Sequence, residues 1–361
     1  MGWRAAELAR AARLKALFET AGAKPVETSV LQPADLLLDL YGEDMRARAY
    51  VTWDALRGEL MLRPDFTVPV VQMHMEGGAD PARYTYSGEV FRRQEQDPSR
   101  ANEYVQVGYE VFDRVNPAAA DAEVFALIAH GLSELSGLRA VTGDIGILTA
   151  AVEGLETSSA RKAALMRHLW RPRRFRALLD RYSGKTPMPP SRTALLQAAT
   201  TVPATAPEIG RRQLVEVESR IETLKIDSAT PPIGGAALSA LNALLAVRET
   251  MPFAMEQLRD IAIDLPAISP ALDRLEARVA ALRTRGVDVD RLEFEASYGR
   301  TSMEYYDGFV FGFVAEARPD LPPVATGGRY DALTRRLGQG AEIPAVGGVI
   351  RPGVMLELGA V

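Results

Sequence analysis

Residues 84–112, YTYSGEVFRRQEQDPSRANEYVQVGYEVF, limit most narrowly what this chain can fold into. They read as two strands joined by a polar loop. The first, 84–93, is rich in β-branched and aromatic residues, which suit a pleated, half-buried surface. The second, 103–112, alternates. Val105, Val107, Tyr109 and Val111 point to one side, and Gln106, Gly108 and Glu110 to the other, because successive strand side chains leave opposite faces. The apolar face demands helices behind it. The other face offers an amide, a gap at a glycine and a carboxylate in a row, which is how an antiparallel sheet floors a polar ligand site. The loop carries a turn-forming Asp97-Pro98-Ser99. Arg92, near the end of the first strand, can aim a guanidinium over that floor.

The rest of the chain mixes helix and strand signals, an α+β pattern. Residues 3–20 form an amphipathic helix stopped at Gly22. A short strand follows, then a proline-started helix over 31–41. Residues 49–54 and 59–63 read as a hairpin. RPDFT, 63–67, puts Asp65 and Thr67 at the start of a helix, where each serves as an N-cap or as a ligand contact. A helix over 118–136 and a strand over 140–149 close the first part of the core, 1–150. From 151 to 285 the chain is helical, rich in Ala, Leu and Arg, and broken by proline-rich loops at 187–190, 201–207 and 231–232. This stretch reads as an inserted, mainly helical domain. Strand character returns at 286–294, opening the second part of the core, 286–361. There Glu304, Tyr306, Gly308, Val310 and Gly312 share a strand face, with the glycines leaving room for a ligand. ATGGRYDALTRRLG, 325–338, sets a glycine pair before a helix start. That fits close backbone approach to a ligand and a plain tight turn equally well.

Composition narrows the function. With 361 residues the chain holds two domains, or one with a large insertion. A net charge of −5 speaks against a dedicated nucleic-acid binder. The basic cluster at 167–176, RHLWRPRRFR with Trp170, is better read as a solvated or inter-domain face than as a polyanion contact, since its flanks add no basic surface. There is no cysteine, which excludes disulfides and thiolate metal sites and suits a reducing compartment. No signal-peptide core and no run of membrane-spanning length occurs, so a soluble cytoplasmic protein is expected. His74, His130 and His168 are far apart and suit packed or surface roles rather than metal binding. No GxGxxG after a strand, P-loop or GxSxG is present, and no cofactor is implied.

Three segments together resemble histidyl-tRNA synthetase, a class II synthetase: LRPDFT (62–67), FRRQEQDPSRANEYVQVGYEVF (91–112), and EYYDGFVF, GGRYDALTRRLG and PAVGG towards the end. The resemblance covers roughly 1–150 and 286–361. It implies the class II antiparallel sheet flanked by helices, usually dimeric. It implies a histidine site in which Asp65, Thr67 and Gln106 meet the α-ammonium. Glu110 and Tyr306, with Tyr305 beside it, meet the imidazole. A zwitterion with an imidazole needs these acceptors. Asp65 is one methylene shorter than the family's glutamate.

The departures from that family point further. The arginine that stabilises charge during ATP attack falls at Thr301, and the adjacent Arg300 is offset by one residue, which reverses side-chain direction in an extended chain. The ATP-clamping arginine of the third motif falls near Val354, with Arg351 displaced from it. Gln94 replaces a glutamate. Only Arg92 remains as a remnant of the nucleotide site. Losing one transition-state donor typically costs about 10²–10³ in rate. No anticodon-binding domain is expected. The combination resembles the regulatory subunits of ATP phosphoribosyltransferase, paralogues of the synthetase. That resemblance implies a non-catalytic partner of the short-form catalytic subunit, a self-dimer within a hetero-oligomer, feedback by histidine, and no tRNA. A truncated enzyme activating histidine or another amino acid for a non-tRNA acceptor is the alternative. A third reading is an interaction protein whose pocket is a relic.

Overall fold

The computed structural model describes residues 2–35, 48–94, 100–198, 213–300 and 304–359. A helix at Trp3–Thr20 ends where Gly22 adopts φ +96°, a conformation that costs glycine little. The strands that follow are β1 (Lys24–Pro25), β2 (Leu31–Pro33), β3 (Val51–Asp54), β4 (Gly58–Leu62), β5 (Ala82–Phe91), β6 (Glu103–Phe112) and β7 (Leu138–Asp144). Further along come β8 (Arg248–Thr250), β9 (Glu293–Glu295), β10 (Phe309–Ala315), β11 (Ala325–Arg329) and β12 (Ala345–Ile350). Nine of them form one sheet in the order β1-β5-β6-β12-β11-β10-β7-β9-β8. Among the described residues, only the β1–β5 and β7–β9 pairs are parallel. A separate three-stranded sheet runs β2-β4-β3.

The expected hairpin stands second and third in the strand order of the large sheet, with β5 and β6 paired from Ala82↔Phe112 to Phe91↔Glu103. Val105, Val107, Tyr109 and Val111 lie fully buried in the core behind it. The first helix covers part of that face, with Phe18 and Tyr109 ring centroids 5.4 Å apart. The helix Pro117–Gly131 covers more, and the Tyr109 hydroxyl donates to its Glu123 at 2.5 Å. A one-residue slip would move three valines into a polar cavity, each losing about 1.5–3 kcal/mol of burial. It would also push Glu110 into hydrocarbon. The register is therefore fixed by both faces at once.

Several element boundaries differ from the sequence reading for local reasons. Residues 31–33 are strand, not helix. Pro33 drives the residue before it to an extended conformation and sits in an outer strand of the small sheet, paired with Leu60. Positions 36–41 of the expected helix, the Asp97-Pro98-Ser99 turn, the loop 201–207 and Thr301 lie outside the described residues. The strand expected over 140–149 stops at Asp144, whose carboxylate accepts from Gly146 N at 2.8 Å and so caps a helix at Ile145–Glu153. The helix expected over 118–136 begins at Pro117, capped by Asn116, and ends at Gly131. Strand at 286–294 shrinks to Glu293–Glu295.

Within 151–285, helices occupy Ser159–Arg167, Pro172–Tyr182, Pro190–Gln197, Leu214–Ala229 and Gly235–Ala246. β8 then joins the edge of the large sheet through β9. The helices Met251–Asp264 and Ser269–Thr284 follow. Arg278 of the last of these reaches into the core, donating to Asp121 at 2.7 Å and Asp144 at 2.8 Å. Arg329 shares Asp121 at 2.7 Å. The 167–176 segment turns partly inward, with Phe175 buried and Arg171 3.7 Å from Glu304. His74 is packed, stacked on Phe112 with centroids 3.8 Å apart and bonded to the Tyr84 hydroxyl. Burial holds its imidazole below the usual range. No described helix is long and apolar enough to cross a membrane.

Candidate functional site

The strand registers align side chains into cross-sheet rows on the face opposite the helices. One row runs Tyr84, Glu110, Gly347, Gly328, Val310, and the next runs Tyr86, Gly108, Val349, Thr326, Gly312. Above these rows opens a cavity of about 1210 Å³. Asp65, Thr67, Arg92, Gln106, Tyr305 and Tyr306 all line it. Six positions separated by up to 241 residues in sequence thus meet on one floor (306 − 65 = 241).

Glu110 sits beneath that floor and is fully buried. Its carboxylate accepts three hydroxyls: Tyr330 at 2.6 Å, Tyr86 at 2.7 Å and Thr67 at 3.1 Å. Burial pushes its pKa up to about 7, against the pull of those three donors and aided by the Asp65 carboxylate. Its room exists because residue 347 is glycine, where a Cβ would lie 1.4 Å from Glu110 Oε2. Tyr86 and Tyr330 were missed as site residues from sequence. Tyr330 lies inside GGRYD. Tyr86 is the cross-strand partner of Gly108, so a bulky ring facing a glycine was the available signal.

The glycines do a different job from the one expected. The gap at Gly108 is filled by the Tyr86 ring, since a Cβ there would stand 2.1 Å from Tyr86 Cζ. Gly312 makes room for the Tyr298 hydroxyl, Gly308 for Arg329, and Gly328 for Tyr306. They make room for other side chains of the protein, three tyrosines and an arginine, rather than leaving space for a ligand. The shared face expected from 304 to 312 holds only for Val310 and Gly312, because β10 begins at Phe309. Tyr305 and Tyr306 precede it and are held by ring contacts, with centroids 4.9 Å apart and Tyr305 6.1 Å from Tyr330. Asp307 anchors this turn by accepting from Asp331 N at 3.0 Å and Ala332 N at 2.5 Å. Burial and the nearby Asp331 carboxylate push its pKa up to about 7.

Asp65 is not the N-cap of the helix that follows, since that position falls to Phe66 and no side chain caps it. Its Oδ1 lies 3.5 Å from Val68 N at the start of the helix Thr67–Met75, and its carboxylate also lines the cavity. Arg92 donates to the Pro64 carbonyl at 2.7 Å, with a second guanidinium nitrogen 3.9 Å from Asp65. Gln106 is 1 % exposed and its Oε1 has no hydrogen-bond partner among the described residues. A buried acceptor without a donor costs about 1–3 kcal/mol, so this amide is suited to an N–H group arriving with a ligand.

The cationic side departs from a nucleotide clamp. Arg300 is buried away from the cavity, donating to the Leu169 carbonyl at 2.8 Å with its guanidinium 4.8 Å from the Phe175 ring centroid. Burial and Arg176 pull its pKa down to about 10. Val354 lines the cavity where an arginine was sought. Arg351 lines it as well.

This sheet, its helical cover and the floor of tyrosines and carboxylates define a chain of the histidyl-tRNA synthetase class, with the class II synthetase fold. The histidyl-tRNA synthetase family profile matches residues 3–226 and 204–352. Among solved structures, histidyl-tRNA synthetase from Nostoc sp. PCC 7120 superposes with a TM-score of 0.64 at 16% identity, over 98% of this chain and 71% of that one. An ATP phosphoribosyltransferase regulatory subunit/histidyl-tRNA synthetase from Bacillus halodurans superposes with a TM-score of 0.71 at 20% identity, over 99% of this chain and 79% of that one. Sequence relatives are more specific. ATP phosphoribosyltransferase regulatory subunits from Brucella ovis and Allorhizobium ampelinum are 32% and 33% identical. The alignments cover 90% of this chain and 90% of the relative in the first case, and 91% and 92% in the second. The chain belongs to the family of ATP phosphoribosyltransferase regulatory subunits.

Proposed function

We propose that this chain is the non-catalytic partner of a short-form ATP phosphoribosyltransferase catalytic subunit. In this role it raises the turnover of that subunit in the first step of histidine biosynthesis and makes the assembly sensitive to histidine. It works as a self-dimer within a cytoplasmic hetero-oligomer, without tRNA. The names of its relatives support the partnership.

The observation that carries the ligand is the orphaned Gln106 Oε1 facing the same cavity as the Asp65 carboxylate. An α-ammonium supplies the donors both acceptors take. Thr67 helps to position that end, and the side chain points toward Tyr305, Tyr306 and the Glu110 carboxylate below. An imidazole N–H is the complement of that acceptor. Histidine exerts feedback only if it binds one state of the assembly better than the other.

The reading excludes adenylate formation by this chain. The nearest candidate for the missing catalytic arginine, Arg300, does not line the cavity and turns its guanidinium to Leu169 O and the Phe175 ring. Thr301 and Val354 offer no charge. Two measurements test the proposal. Isothermal titration with histidine should show binding to the isolated chain, and mixing with a short catalytic subunit should raise its turnover. Failure of both, or histidine-dependent ATP–pyrophosphate exchange by the chain alone, would defeat it.

A further inference from the structure

Arg351 has no role in the family resemblance, yet the sheet places it beside the ammonium acceptors. The last registered pair between β12 and β6 is Ile350↔Val107. One step further brings Arg351 alongside Gln106. Alternation puts Gly347, Val349 and Arg351 on the cavity face, and all three line the cavity. The guanidinium donates to the Pro323 carbonyl at 2.5 Å and lies 3.5 Å from Thr326 Oγ1. These acceptors and the Tyr104 hydroxyl, which also bonds to it, are neutral. No carboxylate among the described residues pairs with it, unlike Arg278, Arg318 and Arg329. Burial and the charge of Arg92 pull its pKa down, against the raising effect of the Tyr104 hydroxyl.

We infer that Arg351, together with Arg92, holds the carboxylate of the bound amino acid, while Asp65 and Gln106 hold its ammonium. The inference rests on the amino-acid reading of the cavity. In a zwitterion the two charged groups share one carbon, so an ammonium acceptor is useful only with an anion donor close by. Carrying the β6–β12 register one residue past its last pair sets Arg351 opposite Gln106, and both line the same cavity. A guanidinium suits a carboxylate because its fork matches the two oxygens.

The test compares histidine with histidinol, which keeps the imidazole and ammonium and replaces the carboxylate by a hydroxymethyl group. Titration calorimetry is run on the full chain and on R351Q and R351K. Histidine should bind about 10- to 100-fold more weakly to R351Q, the loss of a charge-assisted hydrogen bond. Histidinol should change less than about 3-fold, and R351K should recover part of the histidine affinity. Equal weakening of both ligands, or no change in either, would overturn the role of Arg351 while leaving the histidine site standing. If R351Q does not fold, the wild-type chain decides, since equal affinity for histidine and histidinol also refutes the inference. Absence of any binding to the wild type would remove the amino-acid reading and this inference together.

Discussion

The Tyr330 hydroxyl donates to Glu110 Oε2 at 2.6 Å, joining residues 220 positions apart beneath the cavity floor. This bond, with those from Tyr86 and Thr67, is what lets a carboxylate remain fully buried on the sheet. Y330F removes one of three donors from a fully buried acceptor. We expect a loss of about 1–3 kcal/mol in stability, read by urea denaturation. We also expect weaker histidine binding, and a Y330F variant as stable as the parent would show that Glu110 does not need this donor.

Glu110→Ala goes further, since it deletes the proposed partner of the imidazole. Histidine affinity should fall by at least about 10-fold, the lower end for a hydrogen bond to a charged group. Calorimetry measures this directly. Unchanged affinity would mean that the ring is held elsewhere.

Two carboxyls set a pH dependence. Glu110 moves from 4.5 to about 7 and Asp307 from 3.8 to about 7, both chiefly through burial. A carboxyl with a raised folded-state pKa holds its proton more tightly in the folded chain than in the unfolded one. Its contribution is therefore most favourable below the unfolded value and is lost as pH rises through the folded value. E110Q has no such proton to lose. The stability of E110Q relative to wild type should grow between pH 5 and pH 7.5, with a slope of at most about 1.4 kcal/mol per pH unit. Thermal melts across that range test it, and a pH-independent difference would contradict it.

Arg300 should matter to the fold and not to the ligand. Its guanidinium ties the 167–176 segment to the turn after β9 through Leu169 O and the Phe175 ring. R300A is expected to lower the melting temperature while leaving histidine affinity within about 2-fold, less than the factor lost with one net hydrogen bond. A large loss of affinity would place Arg300 at the ligand after all.

Asp121 is the shared acceptor of Arg278 and Arg329, and all three are nearly inaccessible. D121A leaves two buried cations with fewer partners. The expected cost is about 3–5 kcal/mol, the usual penalty for breaking a buried pair. Equilibrium denaturation measures it.

The 103–112 strand was legible because its alternation is strict and each face has one chemistry. Asp65, Thr67 and Gln106 were legible as polar residues at strand and helix starts, and through the family resemblance. The glycines were misread, since a sequence shows that Cβ is missing at Gly108 or Gly347 and not what fills the space. Tyr86 and Glu110 fill it, and both come from other positions in the rows. The strand end at Asp144 was missed because its cap and the preceding strand compete for the same residue.

Local order thus determined the α+β class, the β5–β6 hairpin, its two faces and the place of Gln106 on the polar one, because period-two alternation is a property of neighbouring residues. Tertiary structure alone decided that Glu110 lies under three hydroxyls, that Arg300 turns toward Leu169 and Phe175, and that Arg351 lines the same cavity as Gln106. Those outcomes depend on the registers of strands far apart in the chain, and a register follows from how both faces of a sheet pack, which no short stretch of sequence contains.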